Sequence, residues 1–240
     1  MIINLNSINK ELIVSKINKE ENGNSQYLIQ YADFNVLNYF YENNYENNEL
    51  SNFFLYPDST AVYLYIKLFL RRKFSKIIST DLQNDLLEEL NKNKSFIYLF
   101  GDSNKILEKT IYEIRQKYTN INVSGSQNGY YYDTNIVLFD INKTQIDVLF
   151  VGLGVGRQEK WILENYKKLN VKVIVSVGGW FQYLAGNKKR APLFMRKIHL
   201  EWMHKFILEF PIVWKRYLIG LPKFYFRLLN NKIVIRMSSK

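Results

Sequence analysis

The stretch from Asp147 to Trp161, DVLFVGLGVGRQEKW, constrains the fold of this 240-residue chain more than any other segment. A short apolar run leads straight into a glycine turn and then into an amphipathic segment, the order of a strand, a tight connection and a helix. The same grammar recurs along the body. Strands are expected at Phe53–Tyr56, Ser95–Phe100, Ile136–Phe139, Asp147–Gly152 and Val171–Val177. Helices are expected over about 59–70, 81–92, 103–117, 158–168 and 180–185. Short apolar runs alternating with longer amphipathic ones indicate an α/β class, a Rossmann-like, mostly parallel sheet with flanking helices. The Asn-rich segment Asn38–Asn52 contains enough aromatics to read as a helix-loop rather than a linker.

Charge divides the chain unevenly. The formal net charge is +11, and the segment from Lys188 to Lys240 holds 13 Lys and Arg against Glu201 and Glu209, the whole of that excess. Residues 1–187 are therefore expected to form a neutral α/β body, and residues 188–240 a basic, aromatic-rich C-terminal appendage. The first twenty residues alternate apolar and polar side chains, unlike a secretory signal. No segment, LFLRRKF and YLIGLPKFYF included, approaches the roughly 20 apolar residues needed to cross a bilayer. There is no cysteine and only two histidines, His199 and His204, which excludes disulfides, thiolate zinc sites and a histidine-rich metal centre. No metal site is expected, and a reducing cytoplasm fits best.

Two strand ends place glycine or small polar residues just ahead of a helix, at Gly101-Asp102-Ser103-Asn104 and at Gly152–Gly156. Ligands of open α/β sheets bind at the carboxyl ends of strands, where helix N-termini offer N–H groups to phosphate. Each turn is a candidate diphosphate contact, although tight connections need glycine in any fold.

Four ordered motifs give these turns a context: the small-Gly turn with Gln158-Glu159-Lys160-Trp161, the step Val177-Gly178-Gly179-Trp180-Phe181, the step from Gly186 to Arg190-Ala191-Pro192, and Leu200-Glu201-Trp202 followed by Trp214-Lys215-Arg216-Tyr217. Together they resemble the WecG/TagA/CpsF family of bacterial glycosyltransferases, glycosyltransferase family 26, from about Tyr56 to Arg216 and more weakly upstream. The resemblance implies an inverting, metal-independent hexosyltransferase. It would move an N-acetylmannosamine-like or related sugar from a UDP-sugar to a polyprenyl-pyrophosphate-linked saccharide in surface polysaccharide synthesis.

Residue by residue, Tyr56-Pro57-Asp58-Ser59 is similar to the family's strand-end Pro-Asp-Gly, whose aspartate is the proposed general base; Asp58 or Ser59 is equally suited to cap the next helix. Ser79-Thr80-Asp81 matches a Gly-Thr-Asp step and reads better as a helix cap. The resemblance places the nucleotide-sugar beside Gly101, Gly152, Gly154, Arg157, Gln158, Glu159, Gly178, Gly179 and Gln182. The alternative for Glu159 and Lys160 is a solvated helix face. Gln182 stands where relatives carry aspartate near the nucleobase, and its amide can still meet a uracil edge. On the acceptor side fall Tyr31 and Asp33, which replace the threonine and asparagine of a Thr-Pro-Asn step, together with Arg190, Lys215 and Arg216, with Arg227 as a further companion. Tyr130–Tyr132 match a Gly-Tyr-Phe step or simply pack.

Basic and aromatic residues interleaved along the appendage suit an anionic membrane interface, and an acceptor of the implied kind is embedded there. The expectation is a peripheral protein on the cytoplasmic face of a bacterial plasma membrane, its segment 188–213 closing over the active site and Trp214–Met237 meeting lipid. Single-stranded nucleic acid is the competing partner for such a surface, but no nucleic-acid motif accompanies the charge. The changes at Tyr31, Asp33 and Gln182 also admit a binding protein of the same fold without transferase activity. Sugar, acceptor, linkage and oligomeric state are not written in these residues.

Overall fold

A computed structural model describes residues 1–6, 26–72, 79–198 and 200–238. Most of the alternating N-terminal stretch, the last residues of LFLRRKF and His199 lie outside them. The chain divides into two compact units. One takes in the described parts of Met1–Ser7, Tyr31–Ile78 and Lys189–Lys240, the other those of Ile8–Gln30 and Ser79–Lys188. The basic C-terminal residues thus share a unit with the segment that carries Asp58.

In chain order the elements are β1 (Ile2–Asn6), β2 (Tyr27–Ala32), α1 (Phe34–Glu42), α2 (Asn47–Leu50), β3 (Phe53–Pro57), α3 (Thr60–Leu68), α4 (Ser79–Lys92), β4 (Phe96–Gly101) and α5 (Asn104–Lys117). There follow β5 (Asn122–Gln127), α6 (Thr134–Asn142), β6 (Val148–Gly152), α7 (Arg157–Asn165) with a 3₁₀ turn (Tyr166–Lys168), β7 (Val173–Ser176) and α8 (Trp180–Leu184). The C-terminal elements are α9 (Leu193–Lys197), α10 (Glu201–Leu208), α11 (Phe210–Lys215), a π-helical turn (Arg216–Gly220), α12 (Leu221–Leu229) and β8 (Val234–Ser238).

A six-stranded sheet runs in the order β3-β2-β7-β6-β4-β5. In the second unit β2, β7, β6, β4 and β5 pair in parallel. Every residue of β6 and β7 is buried, as a parallel strand covered on both faces demands. Register at the strand starts is pinned by Asp147, whose Oδ2 accepts the Phe96 N–H at 2.8 Å while its own N–H donates to the Phe96 carbonyl. Flanking helices are tied down by polar side chains, Thr110 Oγ1 donating to the Phe181 carbonyl at 3.1 Å.

In the first unit β1 and β8 pair in parallel, Ile3 opposite Ile235, so the two ends of the described chain meet. The helix from Phe210 to Leu229 is continuous in backbone but widens to a π turn at Arg216–Gly220. Pro222 explains the widening: it has no N–H to give the Leu218 carbonyl, and its ring would crowd that carbonyl in a regular helix. Phe34, Tyr217 and Phe224 interlock at ring distances of 5.8 and 6.3 Å and bury the inner face of this helix on α1.

Most expected elements are present within a residue or two, including the helix-loop of α1 and α2. One expectation fails: Ile136–Phe139 is helix, not strand. Asp133 caps α6, its Oδ1 accepting the N–H groups of Asn135 and Ile136 at 2.8 and 3.1 Å. Val137, Leu138 and Ile141 point inward at helical spacing while Ile136 and Phe139 are exposed. A four-residue apolar run does not by itself distinguish the two periods. The strands β1, β2, β5 and β8 were not anticipated; β5, NVSGSQ, contains one large apolar residue and pairs only along one edge.

Candidate active site

In the first unit, Asp58 follows the carboxyl end of β3, its N–H donating to the Ala32 carbonyl at 3.1 Å. Ser59, not Asp58, caps α3, its hydroxyl accepting the Val62 N–H. The N-cap position of α3 thus belongs to Ser59, and Asp58 stands one residue ahead of it. Ser59 adopts φ +71 and ψ 151, a region otherwise reserved for glycine, so the backbone beside Asp58 is strained by about 1–3 kcal/mol. Ser59→Gly is expected to raise stability by about 1 kcal/mol in urea unfolding, since relief of strain exceeds the few tenths lost with the cap. A fall in the midpoint would show the cap to dominate.

Two residues upstream, Tyr56 is buried and its hydroxyl has no hydrogen-bond partner among the described residues. Burial, then the charge of Asp58 and then Tyr31, push its phenol well above the ordinary tyrosine range, so it stays neutral. In the sequence Tyr56 carries no signal of such a role, because an aromatic strand residue reads only as core packing.

Asp33 is 4% exposed and spends both carboxylate oxygens. Oδ1 accepts the N–H groups of Asn35 and Val36 at 2.9 and 2.8 Å, capping α1, and Oδ2 accepts Nη2 of Arg216. The Arg216 guanidinium also lies 5.3 Å from the Phe34 ring and 5.7 Å from that of Tyr217. Burial alone would lower its pKa, but Asp33, Tyr217, Tyr31 and Asp58 together more than reverse this and raise it. Arg216 is a fixed cation at the start of the π turn, a helix irregularity that often marks functional positions. Tyr31 is buried beside this group.

The remaining acceptor-side candidates scatter. Arg190 pairs with Glu201 at 3.7 Å, and Lys215 is exposed over the Trp214 ring at 5.5 Å. Arg227 is a strut, donating to Asn38 Oδ1 and Glu42 Oε1 at 2.7 Å each.

In the second unit, Gly101, Gly152 and Gly178 stand at or just past the ends of β4, β6 and β7. They are there because backbone approaches backbone. A Cβ on Gly101 would lie 2.4 Å from the Gly152 carbonyl oxygen, and one on Gly152 would lie 2.7 Å from the Phe181 ring. Gly154 and Gly156 turn the chain at φ +85 and +94 into α7, while Gly179 precedes α8.

Glu159 is fully buried, which overturns the solvated-face alternative for it, whereas Lys160 is exposed and pairs with Glu164 at 3.9 Å. Glu159 Oε2 accepts the Gly156 N–H at 2.6 Å and Oε1 accepts Nε2 of Gln158 at 2.8 Å. Gln158, equally buried, accepts the Gly178 N–H at 3.3 Å. One carboxylate thereby stiffens both glycine turns. Arg157 is exposed at the start of α7 and donates to the Gly129 carbonyl. Gln182 Nε2 donates to Asp102 Oδ2 at 2.5 Å, a partner not foreseen from sequence. Tyr130 is exposed, and Tyr132 packs edge-on against Phe100 at 4.9 Å. Thr80 and Asp81 lie inside the first turn of α4 rather than ahead of it. Among the described residues, no three His, Cys, Asp or Glu side chains converge on a possible metal position.

Over residues 2–237 the sequence matches the model of the glycosyl transferase WecG/TagA/CpsF family. The chain belongs to that family. A relative from Bacillus subtilis (strain 168), named N-acetylglucosaminyldiphosphoundecaprenol N-acetyl-beta-D-mannosaminyltransferase, is 36% identical over 183 residues, 76% of this chain and 70% of its own length. A Bacillus spizizenii protein of the same name is 31% identical over 75% of this chain and 69% of its own length. A Staphylococcus aureus (strain MRSA252) protein, again of that name, is 29% identical over 67% of this chain and 63% of its own length. This family member is accordingly a glycosyltransferase.

Proposed function

We propose that this glycosyltransferase moves an N-acetylmannosamine-like or related hexose from a UDP-sugar onto a polyprenyl-pyrophosphate-linked saccharide. The names of its relatives supply the acceptor class and the sugar class. The observation that carries the chemistry is Asp58 at the end of β3, where the capping role belongs to Ser59. The acceptor hydroxyl attacks the anomeric carbon as Asp58 takes its proton. The bond from that carbon to the diphosphate oxygen breaks, UDP departs, and the anomeric configuration inverts. Backbone N–H groups of the Gly152–Gly156 turn and the Arg157 guanidinium counter the charge on the leaving diphosphate, so the reading requires no metal. Arg216 takes the acceptor pyrophosphate, and Tyr31 and Asp33 shape its surroundings.

The test is transfer itself: the protein, a panel of UDP-sugars and a lipid-pyrophosphate-N-acetylglucosamine analogue, with UDP release and extended product both measured. No product with any donor would remove the reading.

For the acceptor to be reached, the protein works at the inner face of the plasma membrane. The support is a run of exposed apolar side chains on the C-terminal helix, Ile212, Leu218, Ile219, Phe226 and Leu229, interleaved with Lys215 and Lys223. No helix among the described residues is long and apolar enough to cross a membrane. Removal of residues 214–240 is a poor test, because Tyr217, Phe224, Leu228, Ile233 and Ile235 are core. Substituting Ile212, Ile219 and Leu229 together by Ser is expected to cut flotation with anionic liposomes about tenfold or more with the fold retained, at roughly 0.8 kcal/mol or more for each apolar group lost from lipid. Undiminished flotation would place the lipid contact elsewhere.

A further inference from the structure

Gln182 is held at both ends of its amide. It lies on α8 just after β7, and Asp102 lies just after β4; with β6 between those strands, their hydrogen bond spans the end of the central strand. Asp102 sits at φ +46, with Oδ1 accepting the Ser103 N–H at 2.8 Å and Oδ2 accepting Gln182 Nε2. On the other side, Gln182 Oε1 accepts Nδ2 of Asn187. A carboxylate only accepts, so Nε2 must face Asp102, and Oε1 is thereby committed to the Asn187 donor. Each amide atom keeps one further valence, a second N–H on Nε2 and a second lone pair on Oε1. Gln182 and Asp102 are partly open to solvent and Asn187 is exposed, so a ligand can reach them.

We propose that Asp102 and Asn187 are positioning residues that lock the Gln182 amide in one orientation and so select the base of the nucleotide donor. A uracil edge offers a carbonyl acceptor beside a ring N–H donor. A cytosine edge offers an amino donor beside a bare ring-nitrogen acceptor, so donor and acceptor stand in exchanged order. A glutamine free to flip meets either edge, whereas one held by an acceptor on its nitrogen side and a donor on its oxygen side meets one. The place of Gln182 beside the base, and the identity of that base as uracil, both rest on the UDP-sugar reading above. The lock concerns only how that base is told from its nearest competitor.

The experiment is calorimetric titration of the whole protein with UDP and with CDP, for the wild type, Asp102→Gly, Asn187→Ala and Asp102→Asn. Glycine tolerates φ +46, so Asp102→Gly removes the carboxylate without backbone strain. The wild type should favour UDP by about tenfold or more, and Asp102→Gly and Asn187→Ala should bring the ratio within about threefold, through weaker UDP and tighter CDP. Asp102→Asn still presents a carbonyl acceptor and should keep most of the preference, with the melting temperature of all three variants unchanged. A wild type that binds no nucleotide overturns the donor reading and this proposal with it. A selective wild type whose variants keep its ratio, or lose both nucleotides equally, overturns the lock alone.

Discussion

Asp58→Asn is expected to lower the rate of sugar transfer by about a hundred- to ten-thousandfold, the contribution of the general base proposed there, and to leave UDP affinity within about twofold of the wild type. The amide matches the carboxylate in volume and accepts a hydrogen bond but no proton at neutral pH. The acceptor hydroxyl must then lose its proton unaided. The main-chain bond from residue 58 to the Ala32 carbonyl and the Ser59 cap are both retained in this variant. The measurement is single-turnover transfer beside UDP titration and a thermal melt of the same preparation. Turnover equal to the wild type would exclude Asp58 as base, and lost UDP binding would give it a different role.

Gly101→Ala is expected to be the most damaging single methyl addition in the second unit, costing about 3 kcal/mol or more. The new Cβ would meet the Gly152 oxygen, carbon and Cα at 2.4, 2.6 and 2.8 Å, all backbone atoms of the neighbouring strand, and Gly101 is at φ +150. Nothing there can swing aside as the end of a long side chain can. Gly129 closes on Gly101 from another direction, where an added Cβ would stand 2.6 Å from the Gly101 Cα. The control is Gly154→Ala: at φ +85 it meets no atom within 4 Å, so it bears only the left-handed backbone cost, about 1–2 kcal/mol. Urea unfolding of both variants separates contact from backbone strain. Equal losses would mean that the close approach at Gly101 contributes nothing.

How much was readable beforehand follows from the range over which each signal acts. Val148–Gly152 and its turn were legible because a strand buried on both faces writes its environment into consecutive residues. Ile136–Phe139 reads as strand or helix alike because four apolar residues satisfy either period, and the deciding Asp133 cap lies outside the run. The pairing of β1 with β8 joins residues more than 200 positions apart, and no local pattern announces it.

The candidate site divides in the same way. Family motifs pointed to Asp58, to the glycine turns and to Arg216 by residue type and order alone. What each polar group is bound to came only with the fold. Asp33 is spent on Arg216 and the start of α1, Glu159 is sealed beneath two turns, and Gln182 is clasped by Asp102 across the sheet.

By itself, then, the sequence determined the α/β class, the family, the aspartate at a strand end and a C-terminal segment carrying the excess charge. Those are properties of neighbouring residues and of composition. Only the tertiary structure decided that the charged segment lends a strand and a buried helix face to the unit holding Asp58, and that the Asp58 carboxylate is not the cap of α3. Hydrogen bonds and close backbone approaches between distant segments depend on distances in space, which separation along the chain does not specify.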